Sequence, residues 1–396
     1  MEVVLKKAVV LVLDGAGIGE MPDAGDYGDC GSDTIGNTAA AVGGLNLPVL
    51  QSMGLGNIHP VTGVDPVATP IASWGKMSEL SMGKDSTTGH WEMMGLVSPV
   101  AMPVFPEGFP SSFVAAFSNA CGHTILGNEV ASGTEIIQRL GEEQIRTQGL
   151  IVYTSADSVF QIAAHESVVP VDELYRCCRI AREMLVPPDL GVSRVIARPF
   201  TGSSPGKYAR TSRRKDFSVP PPRTTLLDRL AEEKIPVTGV GKIDDLFNHR
   251  NITTAHTANN TEGMKLVIEK VRSSSGGFIF ANFCDFDSKW GHRNNFRGFA
   301  GGLEAVDNWM PLLMQSLDGG DLLIVTADHG NDPTTPSTDH SREYVPLLVY
   351  TPECSGSALG VRSTFSDIAC TLLDFFQISG NFPGSSFLKE VLCDDE

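Results

Sequence analysis

The apolar segments of this chain come as unbroken runs. Ala8–Leu13 reads AVVLVL, Phe278–Phe283 reads FIFANF, Leu322–Thr326 reads LLIVT, and Leu347–Tyr350 adds LLVY. A strand solvated on one face alternates apolar with polar; a run apolar at nearly every position must be covered on both faces. Asp228–Lys234, Thr261–Val271 and Phe299–Leu317 lie between the runs with apolar residues at helical spacing. Strands alternating with helices predict an α/β fold, a mostly parallel sheet flanked by helices. The longest purely apolar run, Ala8–Leu13, is far short of the roughly 20 residues of a membrane span. Lys6 and Lys7 precede it, but it is too short for a signal peptide and no cleavage site follows.

A chain of 396 residues has room for a large core and more than one domain. Two Pro-rich stretches mark the breaks, Ser98–Pro110 (SPVAMPVFPEGFP) and Val219–Arg223 (VPPPR). Proline fixes φ and lacks an N–H, so neither stretch is a helix interior or a central strand. Paired breaks of this kind suit two crossings of one hinge. The expected organisation is a core domain from 1–97 and 220–396, with an inserted α+β cap domain over 98–219. The insert has its own strands, Leu150–Tyr153 and Arg194–Ala197, and a helix, Val171–Met184.

Lys and Arg number 30 against 47 Asp and Glu, a net charge of −17 that sets the chain against nucleic acid as a partner. Yet Arg194–Arg223 holds Arg194, Arg198, Lys207, Arg210, Arg213, Arg214, Lys215 and Arg223 against one acid, Asp216. Such a stretch is either a solvated basic loop or a clamp for an anionic, phosphate-bearing substrate. The eight cysteines (Cys30, Cys121, Cys177, Cys178, Cys284, Cys354, Cys370, Cys393) include no CxxC pair. They read as free thiols of a reducing, cytoplasmic compartment, neither a zinc site nor a disulfide framework.

The chemical signal follows the buried runs. AVVLVL leads into Asp14-Gly15. FIFANF leads into Cys284-Asp285-Phe286-Asp287 and then His292. LLIVTA leads into Asp328-His329-Gly330 and then Asp339-His340. In open α/β sheets ligands collect beyond the carboxyl ends of the strands, and carboxylate and imidazole together suit Mn²⁺, Zn²⁺ or Fe²⁺. Each piece alone has a plain reading: Asp14 is as good a helix cap, and Asp287 and His292, five apart, need a loop to converge. Three Asp and three His together exceed one tetrahedral site and suit two metals with three protein ligands each. Met82–Glu92 (MGKDSTTGHWE) supplies the hydroxyls of Ser86, Thr87 and Thr88, any of which a metal ion can activate as a nucleophile. A nucleophile at a helix N-terminus would also set its phosphate on backbone donors. Lys84 is either a phosphate contact or a solvated charge. His90 lies in the same turn, beside the site, whereas His59, His123, His165, His249 and His256 need no role.

Together these motifs resemble the phosphopentomutase family of the alkaline phosphatase superfamily. The resemblance runs along nearly the whole chain, through LDGAGIGEMPDA, GSDTIGN, GKDSTTGHWEMMG, ASGTEII, SRVIARPF, YARTSRRKDF, GVGKIDDLF, DFDSKWGHRNN, TADHGNDPTTPSTDHSREYVPLL and SDIACTLLDFF. It implies an alkaline-phosphatase-like core with a cap, and two Mn²⁺ ions. Asp14, Asp328 and His329, with the hydroxyl or phosphate of Ser86, should hold one ion; Asp287, His292 and His340 should hold the other. Ser86 occupies the position of the family's phosphorylated residue, which is often threonine, and Thr87 is the other acceptor the motif offers. The implied reaction interconverts ribose 1-phosphate and ribose 5-phosphate, and the 2-deoxy pair, through a phosphoserine enzyme and a bisphosphate intermediate. It is primed by glucose 1,6-bisphosphate or a similar sugar bisphosphate.

The cap's task in this reading is to hold the distal phosphate with Arg194, Arg198 and Arg210, joined by Lys242 from the core, while Asp157 meets sugar hydroxyls. The expected partners are small-molecule pentose phosphates, with no nucleic acid and no membrane; the oligomeric state stays open, a monomer included. A phosphatase or sulfatase of the same superfamily would share the ligands but release free anion. A cofactor-independent phosphoglycerate mutase would share core and cap, though its pattern fits these motifs less well. A metal buffer would need neither Ser86 nor the basic stretch.

Overall fold

The computed structural model describes residues 6–155, 158–186, 190–352 and 354–392. The chain divides into two compact units, one of Met1–Val100 with Pro221–Glu396 and one of Ala101–Pro220. Both divisions fall inside the Pro-rich stretches.

Strands are numbered along the chain. The larger unit contains β1 (Lys7–Val12), β2 (Ser73–Met77), β9 (Val237–Val240), β10 (Thr253–Ala255), β11 (Gly277–Asn282), β12 (Leu322–Thr326), β13 (Val345–Tyr350) and β14 (Ala358–Arg362). They form one sheet in the order β10-β9-β11-β1-β12-β13-β2-β14. All neighbours are parallel except β13, which runs antiparallel to both β12 and β2. The unbroken apolar runs occupy its middle, and β1, β11 and β12 are buried at every position. Register brings their ends level: Val12, last in β1, pairs with Asn282, last in β11, and with Thr326, last in β12.

The helix Asn260–Ser273 packs on β9 and β11 and against the helix Phe296–Met314. Helix limits differ from those read off the spacing by a few residues, because caps set them. Thr225 and Asp228 form a capping box, so that helix spans Leu226–Glu232. The Asn295 side chain accepts from Gly298 N at 3.0 Å and starts the next one at Phe296.

The smaller unit contains β3 (Ile125–Val130), β4 (Leu150–Thr154), β5 (Val159–His165), β6 (Arg194–Thr201), β7 (Ala209–Arg210) and β8 (Lys215–Ser218). Its sheet runs β3-β4-β5-β6-β7, with β8 also on β6. Both faces are covered. Along β4, Leu150 and Val152 enter one core with Phe113, Phe117 and Phe160, while Ile151 and Tyr153 enter another with Ile136, Ile137 and Phe200.

One expectation about the cysteines fails. Cys30, Cys121, Cys177, Cys178, Cys284 and Cys370 are free, but Cys354 is disulfide-bonded. Disulfide pairing depends on which residues the fold brings within reach, and spacing alone does not show that. Cys393 lies outside the described residues. Among those described, no helix is long and apolar enough to cross a membrane.

Candidate metal centre and nucleophile

Because β11, β1 and β12 are adjacent and end level, whatever follows them converges. Asp14 follows β1, and Gly15, at φ +76°, turns the chain at once. The backbone N–H of Gly15 thereby donates to Asp328 Oδ1 at 3.0 Å, a turn that glycine makes without steric cost. His329 Nε2 lies 3.3 Å from Asp14 Oδ1 and 3.4 Å from Asp328 Oδ2. Asp287 and His292 meet not through a loop but through a single π-helical turn, Phe286–Trp290, followed by the 3₁₀ turn Gly291–Arg293. The π turn bonds Gly291 N to the Phe286 carbonyl, i to i+5, His292 follows in the 3₁₀ turn, and together the two turns leave Asp287 Oδ1 3.3 Å from His292 Nε2. His340 Nε2 approaches the same oxygen at 3.2 Å. Asp14, Asp328 and His329 form one cluster of donor atoms mutually within 4.8 Å, and Asp287, His329 and His340 form another.

The helix Ser86–Met93 brings the hydroxyl. Ser86 opens it, and its Oγ stands 3.1 Å from His329 Nε2. Thr88 Oγ1 instead donates to Asp85 Oδ2 at 2.6 Å. Asp85 caps the helix by accepting from Thr87 N and Thr88 N at 3.0 and 3.2 Å. Those two backbone donors are therefore occupied by the chain's own carboxylate. Lys84 is paired too, with both oxygens of Asp29 at 3.1 and 2.9 Å.

Two buried side chains fix this loop. Glu92 accepts from Leu80 N, Ser81 N, Ser81 Oγ, Thr364 Oγ1 and Phe365 N. Arg342 donates to Glu79, to the Ser81 carbonyl and to the Gly83 carbonyl. His90, 0 % exposed, bridges helix and cluster, with Nδ1 2.8 Å from the Ser86 carbonyl and 3.1 Å from Asp328 Oδ2.

The electrostatics of the cluster call for a cation. Burial, then the carboxylates of Asp328 and Asp287, push the Asp14 carboxyl above its ordinary range. Burial also opposes ionisation of Asp287, but the imidazoles of His340 and His292 outweigh it and hold that carboxyl well below. Burial disfavours a charged His329, yet Asp328 and Asp14 outweigh it and raise the imidazole well above its usual range.

The hydrogen-bond accounts agree. Asp14 Oδ1, Asp328 Oδ2 and His340 Nε2 are buried and, although His329, His90 and Asp287 stand 3.1–3.3 Å from them, none makes an aligned hydrogen bond, which is costly unless something else satisfies them. His329 Nδ1 lies 3.0 Å from the Gly330 carbonyl and His292 Nδ1 2.6 Å from the Thr338 carbonyl. Those N–H groups donate, which turns the lone pair of each Nε2 toward the carboxylates, as a metal-binding imidazole is held. The field that would keep a proton on His329 suits divalent cations, and the donor set fits them.

Two neighbours went unnoticed in the sequence. Asn282 Nδ2 donates to Asp14 Oδ2 at 3.0 Å, and Asn331 Nδ2 to Asp287 Oδ1 at 2.7 Å. A lone Asn closing an otherwise apolar buried run was the signal for the first. Lys242 is exposed, and its charge acts on the Cys284 thiol, which also feels Asp14, Asp287 and Asp328.

The other substrate candidates belong to the smaller unit. Arg194 and Arg198 both stand on β6, and Arg210 is exposed on β7. Partial burial raises the Asp216 carboxyl, but Arg214 above all, with Arg194 and Arg198, outweighs it and holds the group low. Burial pulls Arg198 down to about 10, with Arg214 and Arg210 adding to it. Asp157 lies outside the described residues.

The profile of the metalloenzyme superfamily matches residues 6–380. A phosphopentomutase of Dictyoglomus thermophilum is 55% identical over 98% of this chain and 99% of its own length. Another, from Clostridium acetobutylicum, is 49% identical over 98% and 99%. Among solved structures, a Pyrococcus horikoshii protein aligns over 96% of this chain and 100% of its own, with a TM-score of 0.50 at 15% identity; that likeness concerns the fold.

Proposed function

The chain belongs to the phosphopentomutase family of the metalloenzyme superfamily, and on that footing we propose how its residues carry out the reaction. It is an isomerase of alkaline-phosphatase-like α/β fold that interconverts ribose 1-phosphate and ribose 5-phosphate. The 2-deoxyribose phosphates are its second substrate pair, and it works in the cytoplasm.

One observation supports the route above the rest: Ser86 Oγ is 3.1 Å from His329 Nε2, beside buried carboxylate oxygens that have no hydrogen-bond partner. Asp14, Asp328 and His329, with Ser86, hold one Mn²⁺; Asp287, His292 and His340 hold the second. Bound there, the ions supply the positive charge that activates the serine hydroxyl and neutralises the transferring phosphoryl group.

Ser86 starts the cycle phosphorylated, primed by a sugar bisphosphate such as glucose 1,6-bisphosphate. Its phosphoryl passes to the free hydroxyl of the bound pentose phosphate. The bond from phosphorus to Ser86 Oγ breaks, one to the sugar oxygen forms, and the proton of the sugar hydroxyl ends on the freed Ser86 Oγ. The bisphosphate then presents its other end, and Ser86 Oγ takes that phosphoryl back, releasing the isomer. Asp85, Glu92 and Arg342 keep the hydroxyl in one position through both transfers. Arg194, Arg198 and Arg210 hold the distal phosphate, joined by Lys242, while Asp157 meets the sugar hydroxyls. The smaller unit serves as the cap that keeps water from the phosphoserine.

Phosphosite mapping of the purified protein tests this, repeated after incubation with Mn²⁺ and glucose 1,6-bisphosphate. Ribose 5-phosphate is then added and the products are analysed. Phosphate on Ser86 with ribose 1-phosphate formed and little free phosphate is the expected result. Phosphate on Thr87 would move the nucleophile by one residue, and an unmodified Ser86 with phosphate released would overturn the phosphoserine route.

A further inference from the structure

Thr34 opens the helix Thr34–Val42 and is fully buried. Its hydroxyl spends its single proton on Glu343 Oε1, at 2.7 Å, and its backbone N–H donates to Glu343 Oε2 at 2.8 Å. With that proton committed, the lone pairs of the hydroxyl are left to accept, and Asn331 N donates to Thr34 Oγ1 at 3.0 Å. Asn331 is itself buried, and its Nδ2 donates onward to Asp287 Oδ1 at 2.7 Å. An ionised carboxylate only accepts, so the amide has one orientation open to it. A single chain of hydrogen bonds thus runs from the Glu343 carboxyl to a proposed metal ligand, with donor and acceptor fixed at every link.

The space around this chain is shaped to it. A Cβ on Gly17 or on Gly330 would fall on the Glu343 carboxyl, and one on Gly291 would fall on the Asn331 amide. Glu343 Oε1 also accepts from Ser341 Oγ at 2.6 Å, while Ser341 and Gly330 exchange backbone hydrogen bonds at 2.7 and 3.1 Å. His329 precedes Gly330 and His340 precedes Ser341, so that backbone pairing already ties the two ligand loops together. The branch through Thr34 and Asn331 adds nothing to the pairing. It ends instead on Asp287 Oδ1, the oxygen that His292 Nε2 and His340 Nε2 approach at 3.3 and 3.2 Å, and it decides how that carboxylate is turned.

We infer that Thr34 and Asn331, backed by Glu343, are positioning residues for the second metal ion, holding the Asp287 carboxylate in its ligating rotation whether or not the ion is bound. The inference rests on the two-ion reading above and goes beyond it by naming what sets the affinity of one ion and not of the other. A ligand fixed in advance gives up less freedom on binding, and outer partners of this kind are worth roughly tenfold to a hundredfold in metal affinity. Asp14, a ligand of the first ion, has a separate partner in Asn282, so the two sites can be loosened independently.

Titration of the metal-free, full-length protein with Mn²⁺, read from the electron paramagnetic resonance signal of the free ion, tests this without turnover. The wild type should bind two ions per chain. Thr34→Val keeps the branched shape and removes the hydroxyl; it should weaken one ion by at least about tenfold and leave the other within about twofold. Thr34→Ser keeps the hydroxyl and loses the methyl, and it should bind as the wild type does. Asn331→Ala should weaken the same ion, and adding Thr34→Val to it should cost little more, because the two side chains act in series. Made in Asp14→Asn, which retains the second ion's ligands, Asn331→Ala should still weaken binding; made in His292→Ala, it should not. Should Thr34→Val fail to fold, Asn331→Ala and Thr34→Ser carry the test. Two ions in the wild type with unchanged affinities in Asn331→Ala would overturn the positioning role and leave the two-ion reading standing. Weakening in Thr34→Ser equal to that in Thr34→Val would also overturn it, by tracing the effect to packing. Fewer than two ions in the wild type would overturn both readings.

Discussion

Asp14 shows at the scale of one side chain why the cluster and its cations are interdependent. In the metal-free protein its carboxyl is raised, first by burial and then by Asp328 and Asp287. A folded-state pKa above the unfolded one gives stability that is intact below the unfolded value and is lost as pH rises through the folded one. The ionised carboxylate is thus a burden on the metal-free fold near neutral pH. Asp14→Asn should therefore raise the melting temperature of the metal-free protein at pH 7 and flatten its pH dependence. It should also remove most of the rise that added Mn²⁺ gives the wild type, because ions that bind only the folded state stabilise it by mass action. Differential scanning calorimetry with and without Mn²⁺ reads both effects, and a lower metal-free melting temperature in the variant would contradict the electrostatic account.

At the scale of the element, the nucleophile helix is placed by what it lacks as much as by its caps. Gly89 faces the end of β12, where a Cβ would lie 2.1 Å from the Asp328 carbonyl oxygen. Either the helix or the ligand strand would have to move. Gly89→Ala should cost about 1–3 kcal/mol of stability, the usual cost of overpacking. It should also lower kcat by a hundredfold or so, since Ser86 and His90 ride on the same helix and small displacements of reacting groups are costly. Urea unfolding and steady-state kinetics on one preparation test this; a variant with wild-type kcat would show that the helix has slack. The same scale explains why Asp287 and His292 looked too far apart in the sequence. A separation of five is wrong for an α-helix, yet a π turn followed by a 3₁₀ turn brings the two together, and nothing local in FDSKWGH announces those turns.

Across the whole molecule, stability should carry the mark of a buried carboxyl that is not itself among the proposed metal ligands. Burial pushes Glu343 up to about 8, against the hydrogen bonds that Ser341 and Thr34 donate to it. Its contribution is fully present below the unfolded value of 4.5 and falls as pH rises toward 8, by on the order of a few kcal/mol at most. Melting temperatures measured from pH 4.5 to 8 should decline less steeply in Glu343→Gln than in the wild type. Equal slopes would mean that the carboxyl is not held neutral in the fold.

What the sequence determined by itself is what local composition dictates. Unbroken apolar runs require strands covered on both faces, and prolines at Ser98–Pro110 and Val219–Arg223 forbid regular structure there. The residues after each run name the ligand candidates because strand ends are where a parallel sheet gathers its chemistry. Only the tertiary structure decided which strands are neighbours. That β11, β1 and β12 lie side by side and end level is a matter of long-range pairing, to which Val12, Asn282 and Thr326 contribute equally and which none of them encodes alone. The same holds for Asn331 on Asp287, for Arg342 on the Gly83 carbonyl, and for Arg176 on the Cys121 carbonyl. Each is a contact between segments distant in the chain, and such contacts form where the packing of whole elements leaves no alternative partner, so no window of sequence contains them.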